Sequence, residues 1–148
     1  MNKRLYPSQP IVGVGIVILR QGKILLGKRL NEPAKGKWSV PGGVVELGET
    51  LKQAVIREAK EETCLDVSNP TLLDVVDIMD LDPKGKVIYH YVIVDYLVTI
   101  TNTFEPKAAS DAAELRWVKL TEVEDYDLTK SFRHFFLKNK NKLEQSAK

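Results

Sequence analysis

Apolar runs separated by short turn-forming segments divide the chain into predicted strands. Continuous or alternating apolar character predicts strands over residues 11–19, 23–29, 38–40, 71–81, 86–100 and 115–120. Residues 21–22 (Gln-Gly) and 82–85 (Asp-Pro-Lys-Gly) have turn chemistry, so the first two strands and the two long strands are each predicted to form a hairpin. Residues 41–43 (Pro-Gly-Gly) are predicted to end the third strand.

Apolar residues spaced three and four apart predict two helices, over residues 49–63 and 129–143. The second helix would bury one stripe, formed by Phe132, Phe135, Phe136 and Leu143. The order of strands, helix, strands, helix predicts an α/β (α+β) fold. In such a fold a mixed β-sheet lies between helices on its two faces, because that arrangement buries every apolar face.

The first predicted helix carries carboxylates where apolar side chains are expected. Its apolar stripe consists of Leu51, Ala54, Val55 and Ala59. Glu58 and Glu62 fall inside this stripe and Glu61 lies at its edge. Carboxylates taken out of water lose solvation and repel one another, so a positive group is expected among them. Arg57, Lys60 or a divalent cation could fill this role, since Mg²⁺ and Mn²⁺ prefer oxygen ligands. The alternative is an ordinary charged surface helix.

The segment from 43 to 65 resembles the Nudix box, the signature of the Nudix hydrolase family. The signature reads Gly, five residues, Glu, seven residues, Arg-Glu, an apolar residue, any residue, Glu-Glu, any residue, Gly and an apolar residue. The matching positions are Gly43, Glu49, Arg57, Glu58, Ala59, Glu61, Glu62 and Leu65. Cys64 replaces the last glycine, where a positive φ angle costs a residue with a side chain about 1 kcal/mol or more. The other interpretation of Cys64, a reactive nucleophile, lacks a histidine near it in sequence.

The resemblance implies a Nudix-type α/β/α sandwich and metal-assisted attack of water on a diphosphate. It implies Mg²⁺, with Mn²⁺ as a possible substitute, held by Glu58, Glu61, Glu62 and the backbone carbonyl of Gly42. It also implies that Glu49 and Arg57 form a structural ion pair and that Arg57 orients Glu58.

The general base is open at this point. In the resembling family it is a box glutamate or a carboxylate from a later loop, and Asp111 and Glu114 are the later candidates here. Simple solvation is the alternative role for at least one of them. Residues outside the box are expected to select the substrate.

Several residues are candidates for contacting that substrate. Arg29 could hold a phosphate, and Gly43 lets a diphosphate approach the backbone closely. Trp38, Tyr89 or Tyr91 could stack on a base, although core packing or a surface position is an equal alternative for each. The compact layout resembles family members that act on ADP-ribose or nucleoside triphosphates, with ADP-ribose favoured. The alternatives are a MutT-type nucleoside triphosphate pyrophosphatase and, from another class, a non-catalytic nucleotide-binding or regulatory module.

Composition narrows the class of protein. The 22 basic and 20 acidic residues give a net charge of +2, which argues against nucleic acid as the main partner. One cysteine and no apolar run long enough for a signal peptide or membrane span predict a soluble cytoplasmic protein. We expect one domain over residues 1–148, with an arm at 1–9 and a disordered tail at about 144–148. A homodimer stays open, because apolar N-terminal strands can serve as dimer edges.

Overall fold

The architecture comes from a computed structural model that describes residues 4–102, 105–109 and 112–147. Within these ranges the elements are β1 (Ile11–Arg20), β2 (Lys23–Arg29), β3 (Trp38–Ser39), β4 (Gly42–Val44), α1 (Leu51–Thr63), β5 (Val67–Leu81), β6 (Val87–Ile100), β7 (Ala112–Lys119) and α2 (Lys130–Ser146). A 3₁₀ helix, Leu120–Asp125, connects β7 to α2. No helix in the described ranges is both long and apolar enough to cross a lipid bilayer.

Strand β1 joins two groups of strands into one mixed sheet. Along most of its length β1 runs parallel to β6, and β6 pairs antiparallel with the edge strand β5. On its other side β1 pairs antiparallel with β4. The end of β1 forms the hairpin with β2, which also pairs with β3 and β7. The predicted mixed sheet and both predicted hairpins are confirmed.

The two helices cover opposite faces of the sheet because side chains alternate along each strand. Ile16 and Ile18 of β1 pack in a cluster with Ala54, Val55 and Ala59 of α1. Val17, between them, packs in a second cluster with the aromatic stripe of α2. The four residues predicted for that stripe are all buried. The predicted α/β/α sandwich is therefore confirmed.

The Pro-Gly-Gly segment holds a strand that its sequence does not predict. Gly42 and Gly43 of β4 lie opposite Gly15 and Val14 of β1 in an antiparallel pair. A Cβ atom on Gly42 would lie 2.1 Å from the carbonyl oxygen of Val14, so only glycine permits this approach. Strand β3 ends before this segment, as expected, but Gly42 and Gly43 also form a strand of their own because their backbone finds partners on β1.

Two other strand boundaries differ from the prediction. β5 begins at Val67, before residue 71, and the pairing with β6 shifts register between Ser68 and Thr71. This stretch contains Pro70, which lacks an N–H but is tolerated on an edge strand. β7 covers Ala112–Lys119 and not 115–120, since Leu120 already belongs to the 3₁₀ helix.

Helix boundaries follow from capping. Helix α1 begins at Leu51 and not at residue 49, because Thr50 caps it. The Thr50 hydroxyl accepts from the Gln53 amide at 3.1 Å, and the Gln53 side chain accepts from the Thr50 amide at 2.9 Å. Helix α2 continues to Ser146, past the predicted end at 143, so the chain at 144–146 is helical and not a disordered tail.

Cys64 ends α1 in the left-handed region, with φ at 63°. We expect Cys64→Gly to be about 0.5–1 kcal/mol more stable than Cys64→Ala, because relief of the left-handed strain exceeds the entropy that glycine adds to the unfolded chain. Urea denaturation of both variants checks this. The alanine variant isolates the backbone effect from loss of the thiol. A glycine variant less stable than the alanine variant would contradict the cap geometry.

Candidate active site

Two glutamates of α1 are buried beside strand β4. Glu58 is 9% exposed and Glu62 is 7% exposed, while the side chain of Glu61 is 49% exposed. The first two therefore lie inside the apolar stripe of the helix and the third lies at its edge, which confirms the predicted placement. Burial of ionised carboxylates requires compensating hydrogen bonds or positive charge.

The guanidinium of Arg57 supplies that charge. Its Nε and Nη2 atoms donate to the two carboxylate oxygens of Glu49 at 2.6 and 2.8 Å. Its Nη1 atom donates to Glu58 at 2.8 Å and to Glu61 at 3.1 Å. Nη2 also donates to the carbonyl of Val44 at 3.1 Å, which connects α1 to β4. One planar group with fixed donor directions thereby positions two glutamates of the helix, a glutamate of the preceding loop and a strand.

Glu49 completes the loop between β4 and α1. Its carboxylate accepts from the backbone amide of Glu46 at 3.0 Å as well as from Arg57. The Arg57 guanidinium and then the Glu46 amide lower the pKa of Glu49 to about 2. Glu49 is therefore ionised at neutral pH and holds the loop against the helix.

Gly42 and Gly43 bring the backbone of β4 against the buried carboxylates. Glu62 accepts from the Gly42 amide at 3.2 Å. A Cβ atom on Gly43 would lie 2.3 Å from the carboxyl carbon of Glu58. Any side chain at residue 43 would displace Glu58, so this glycine is needed for the carboxylate to reach the strand.

The chemistry of these donors fits a hard divalent cation, because they are carboxylate and backbone oxygens next to two glycines of β4. Among the residues that the structure describes, however, no group of three or more His, Cys, Asp or Glu side chains is arranged as a metal site. Glu58 and Glu61 turn toward Arg57, and Glu62 turns toward the Gly42 amide. The three predicted ligands thus share one face of α1 without surrounding a common point.

An open cavity of about 200 Å³ lies beside β4 on the face of the sheet that α2 covers. Glu62, Gly42 and Gly43 form one end of it. Its wall is largely apolar and aromatic, contributed by Val76, Ile78, Tyr89, Tyr91, Ile93, Phe132 and Phe135. The Tyr89 and Tyr91 rings stack with centroids 6.2 Å apart. Basic side chains at the cavity are those of Arg4, Lys28, Arg29 and Lys130.

The other residues selected from the sequence have different surroundings. Arg29 lines the cavity, and its Nε donates to the Pro33 carbonyl at 2.7 Å. Trp38 is 8% exposed and packs edge-on against Tyr126, with centroids 5.3 Å apart, so its ring belongs to the core and not to the cavity wall.

Of the two later carboxylates, the structure describes only Glu114, and its position differs from expectation. Glu114 lies within β7, not in a loop before it, and pairs with Arg116. It does not line the cavity. Asp111 lies outside the described residues.

Asp95 carries a buried carboxyl group and is not among the functional residues predicted from the sequence. It is 4% exposed and lines the cavity from strand β6. Burial, and then the negative charge of Asp74, raise the pKa of Asp95 to about 7. The available signal was an aspartate in the middle of the apolar run VIYHYVIVDYLVTI, since a buried polar residue is more informative than an exposed apolar one.

The amino-acid sequence is similar to that of known proteins. The family model described as NUDIX domain matches residues 9–138. The chain is 43% identical to an ADP-ribose pyrophosphatase of Methanocaldococcus jannaschii over 120 residues, which are 81% of this chain and 68% of that protein.

Solved structures resemble the whole fold. A MutT NUDIX hydrolase from Burkholderia pseudomallei has a TM-score of 0.73 and 36% identity, covering 86% of this chain and 95% of that one. The NUDIX domain of Shewanella oneidensis NrtR, solved in complex with ADP ribose, has a TM-score of 0.70 and 25% identity, covering 91% and 88%.

Because Arg57 makes many hydrogen bonds, its replacement should destabilise the protein even when the new residue keeps the positive charge. We expect Arg57→Lys to lower the free energy of unfolding by about 1–3 kcal/mol, because an ammonium cannot reproduce the planar donor pattern. Lys60→Arg is the matched control, since Lys60 lies on the same helix and is exposed; it should change stability by less than about 0.5 kcal/mol. Equal effects in chemical denaturation would contradict the role of the guanidinium.

The raised pKa of Asp95 predicts a pH-dependent stability. Between pH 3.8 and about 7 the folded protein holds a proton that the unfolded chain has released, so this group makes stability fall as pH rises through that window. Asp95→Asn removes the titration, and its stability relative to wild type should rise by about 2–4 kcal/mol from pH 4 to pH 8. Asp77→Asn, an exposed change on β5, is the control. A constant difference between Asp95→Asn and wild type would refute the prediction.

Proposed function

The chain belongs to the Nudix hydrolase family, and from that premise we propose that it hydrolyses the diphosphate linkage of a nucleoside diphosphate derivative, with ADP-ribose as the favoured substrate. The observation that carries this proposal is the burial of Glu58 and Glu62 against the glycines of β4, at the end of a cavity with stacked aromatic rings. The pyrophosphatase relative and the NUDIX domain bound to ADP ribose support the choice of substrate.

We propose that Glu58, Glu61, Glu62 and the Gly42 carbonyl bind Mg²⁺, or Mn²⁺ in its place. Nudix hydrolases generally use divalent metal ions, and the oxygen donors of this chain suit such ions. When bound, the ion neutralises phosphate oxygens and lowers the pKa of a water molecule. Arg57 keeps the carboxylates of Glu58 and Glu61 oriented through its hydrogen bonds.

The cavity supplies the contacts for the rest of the substrate. Arg29 is the proposed phosphate-binding cation, because it lies at the end of β2 and at the cavity. Tyr89 and Tyr91 are the proposed stacking surface for the base, in place of Trp38. Gly43 allows the diphosphate to approach the strand without a side chain in the way.

The proton acceptor for the attacking water is a box glutamate or Asp111 in this proposal. Glu114 is a weaker candidate, because its carboxylate already pairs with Arg116 and does not face the cavity. Asp111 precedes β7, whose start contributes Ala112 to the cavity lining.

The single-domain organisation and the cytoplasmic location predicted from composition also stay proposals.

A MutT-type pyrophosphatase acting on nucleoside triphosphates is the second candidate, favoured by the likeness to the Burkholderia MutT protein. Product analysis separates the two. Cleavage of ADP-ribose releases AMP and ribose 5-phosphate, whereas pyrophosphatase cleavage of a nucleoside triphosphate releases a nucleoside monophosphate and inorganic pyrophosphate. A panel of nucleotides incubated with Mg²⁺ and separated by ion-exchange chromatography identifies the preferred class. Binding without turnover of any nucleotide would favour the non-catalytic alternative.

Neutralising either buried glutamate should abolish most of the activity. We expect Glu58→Gln and Glu62→Gln each to lower kcat on the best substrate by about two orders of magnitude or more, because each removes a charge proposed to bind the metal. Glu122→Gln, an exposed change on the 3₁₀ helix, should leave kcat unchanged. Circular dichroism checks that all three variants are folded. Wild-type rates in both site variants would refute the assignment of these carboxylates.

A further inference from the structure

A row of four residues crosses the sheet from the glycine strand to the edge strand. Gly42 of β4 lies opposite Gly15 of β1, Gly15 lies opposite Asp95 of β6, and Asp95 lies opposite Asp74 of β5. Neighbouring strands are about 4.8 Å apart, so the Cα atoms of Gly42 and Asp95 are separated by about 10 Å. The row therefore connects the proposed diphosphate position to a buried carboxyl group.

Gly15 makes room for the side chain of Asp95. A Cβ atom on Gly15 would lie 2.0 Å from Oδ1 of Asp95, so this oxygen occupies the space above a residue without a side chain. The carboxyl group thus extends along the row toward Gly42. It also lines the cavity that begins at Gly42 and Glu62.

Residue Asp95 is only 4% exposed, and none of the side-chain hydrogen bonds among the described residues reaches its carboxyl group, which borders the open cavity. Asp74, its neighbour in the row, is satisfied instead by Asn139 at 2.8 Å and Lys138 at 3.1 Å. Buried polar groups are normally hydrogen-bonded, and an unsatisfied one destabilises the fold. The carboxyl group of Asp95 is therefore open to a hydrogen-bond donor from a ligand bound in the cavity.

The hydroxyl of Tyr91 is a second buried polar atom of the cavity; burial raises the pKa of Tyr91, and the nearby guanidinium of Arg4 opposes that rise. Tyr91 lies four residues before Asp95 on the same face of β6, about 13 Å away along the strand. Both groups face a wall that is otherwise apolar, with Ile93 between them. An apolar cavity wall with a few fixed polar groups is typical of a small-molecule binding site.

The position of Asp95 decides which part of a substrate it can reach. The ionised form of Asp95 would repel a neighbouring phosphate, whereas both protonation states of a carboxyl group can accept a hydrogen bond from a neutral donor. In a nucleoside diphosphate derivative the group attached directly to the diphosphate is a sugar, and its hydroxyls are neutral donors. We propose that Asp95 is a specificity-determining residue that accepts a hydrogen bond from a hydroxyl of the ribose joined to the diphosphate. This inference rests on the proposed function for the position of the diphosphate.

Substrates that lack one hydroxyl test this contact. ADP-ribose is compared with two analogues, one 2′-deoxy in the adenosine sugar and one 2-deoxy in the terminal sugar, by measuring kcat/KM with Mg²⁺. Wild type should prefer ADP-ribose over one of them by about ten- to a hundredfold, because loss of that hydroxyl leaves Asp95 unsatisfied. The analogue that is discriminated against identifies the sugar.

Variants at position 95 assign the preference to this side chain. Asp95→Ala should reduce it to less than about threefold, and Asp95→Asn should keep part of it, because the amide retains a carbonyl acceptor. Asp77→Ala, an exposed change on the neighbouring strand, should keep the full preference. Circular dichroism excludes unfolding. A wild type without preference, or an equal loss of kcat/KM for all three substrates in Asp95→Ala, would overturn the inference.

The outcome is separable from that of the proposed function. If none of the three compounds is hydrolysed, their dissociation constants measured by calorimetry with Mg²⁺ replace kcat/KM in the same comparison. A preference for the hydroxylated ligand that Asp95→Ala removes would then support the contact although the hydrolase assignment fails. Binding of all three with equal affinity, or of none, would overturn the contact itself.

Discussion

The constraint on which the rest of the site depends is the set of hydrogen bonds made by one guanidinium. Arg57 reaches the loop through Glu49, the helix through Glu58 and Glu61, and the strand through the Val44 carbonyl. These partners come from three consecutive elements that would otherwise be joined only by the chain. Because a guanidinium is planar and always charged, it fixes the relative orientation of these elements and lowers the pKa of Glu49.

Three glycines are as important to this arrangement as the charged residues. Gly43 lets Glu58 reach β4, Gly42 lets β4 lie against β1, and Gly15 gives Asp95 its space. Each of the three lies where a Cβ atom would collide with a polar group of another element. Close approach of backbone and carboxyl groups thereby extends from helix α1 through the sheet to the cavity on its other face.

Features with a local cause could be predicted from the sequence. The spacing of apolar residues predicts both helices and the long strands, and the position of Glu58 and Glu62 within the stripe of α1 predicts their burial. Features that depend on partners distant in sequence could not. Strand β4 exists because β1 offers it an edge, and Trp38 is buried because Tyr126 packs against it. The surroundings of Asp95 come from three strands, so its position in an apolar run marks it as unusual without indicating what it faces.

The two faces of the sheet divide the work of the site between them. The carboxylates project from α1 on one face, and among them Glu62 reaches the end of the cavity, whereas β5, β6 and α2 supply the apolar and aromatic part of the cavity wall on the other face. Replacement of Val76, Ile93 or Phe132 would therefore alter the shape of the wall without touching any bond of Arg57. Such a division lets duplicated copies of a gene diverge in ligand preference while retaining cleavage, and it offers directed evolution a set of positions that can be randomised together.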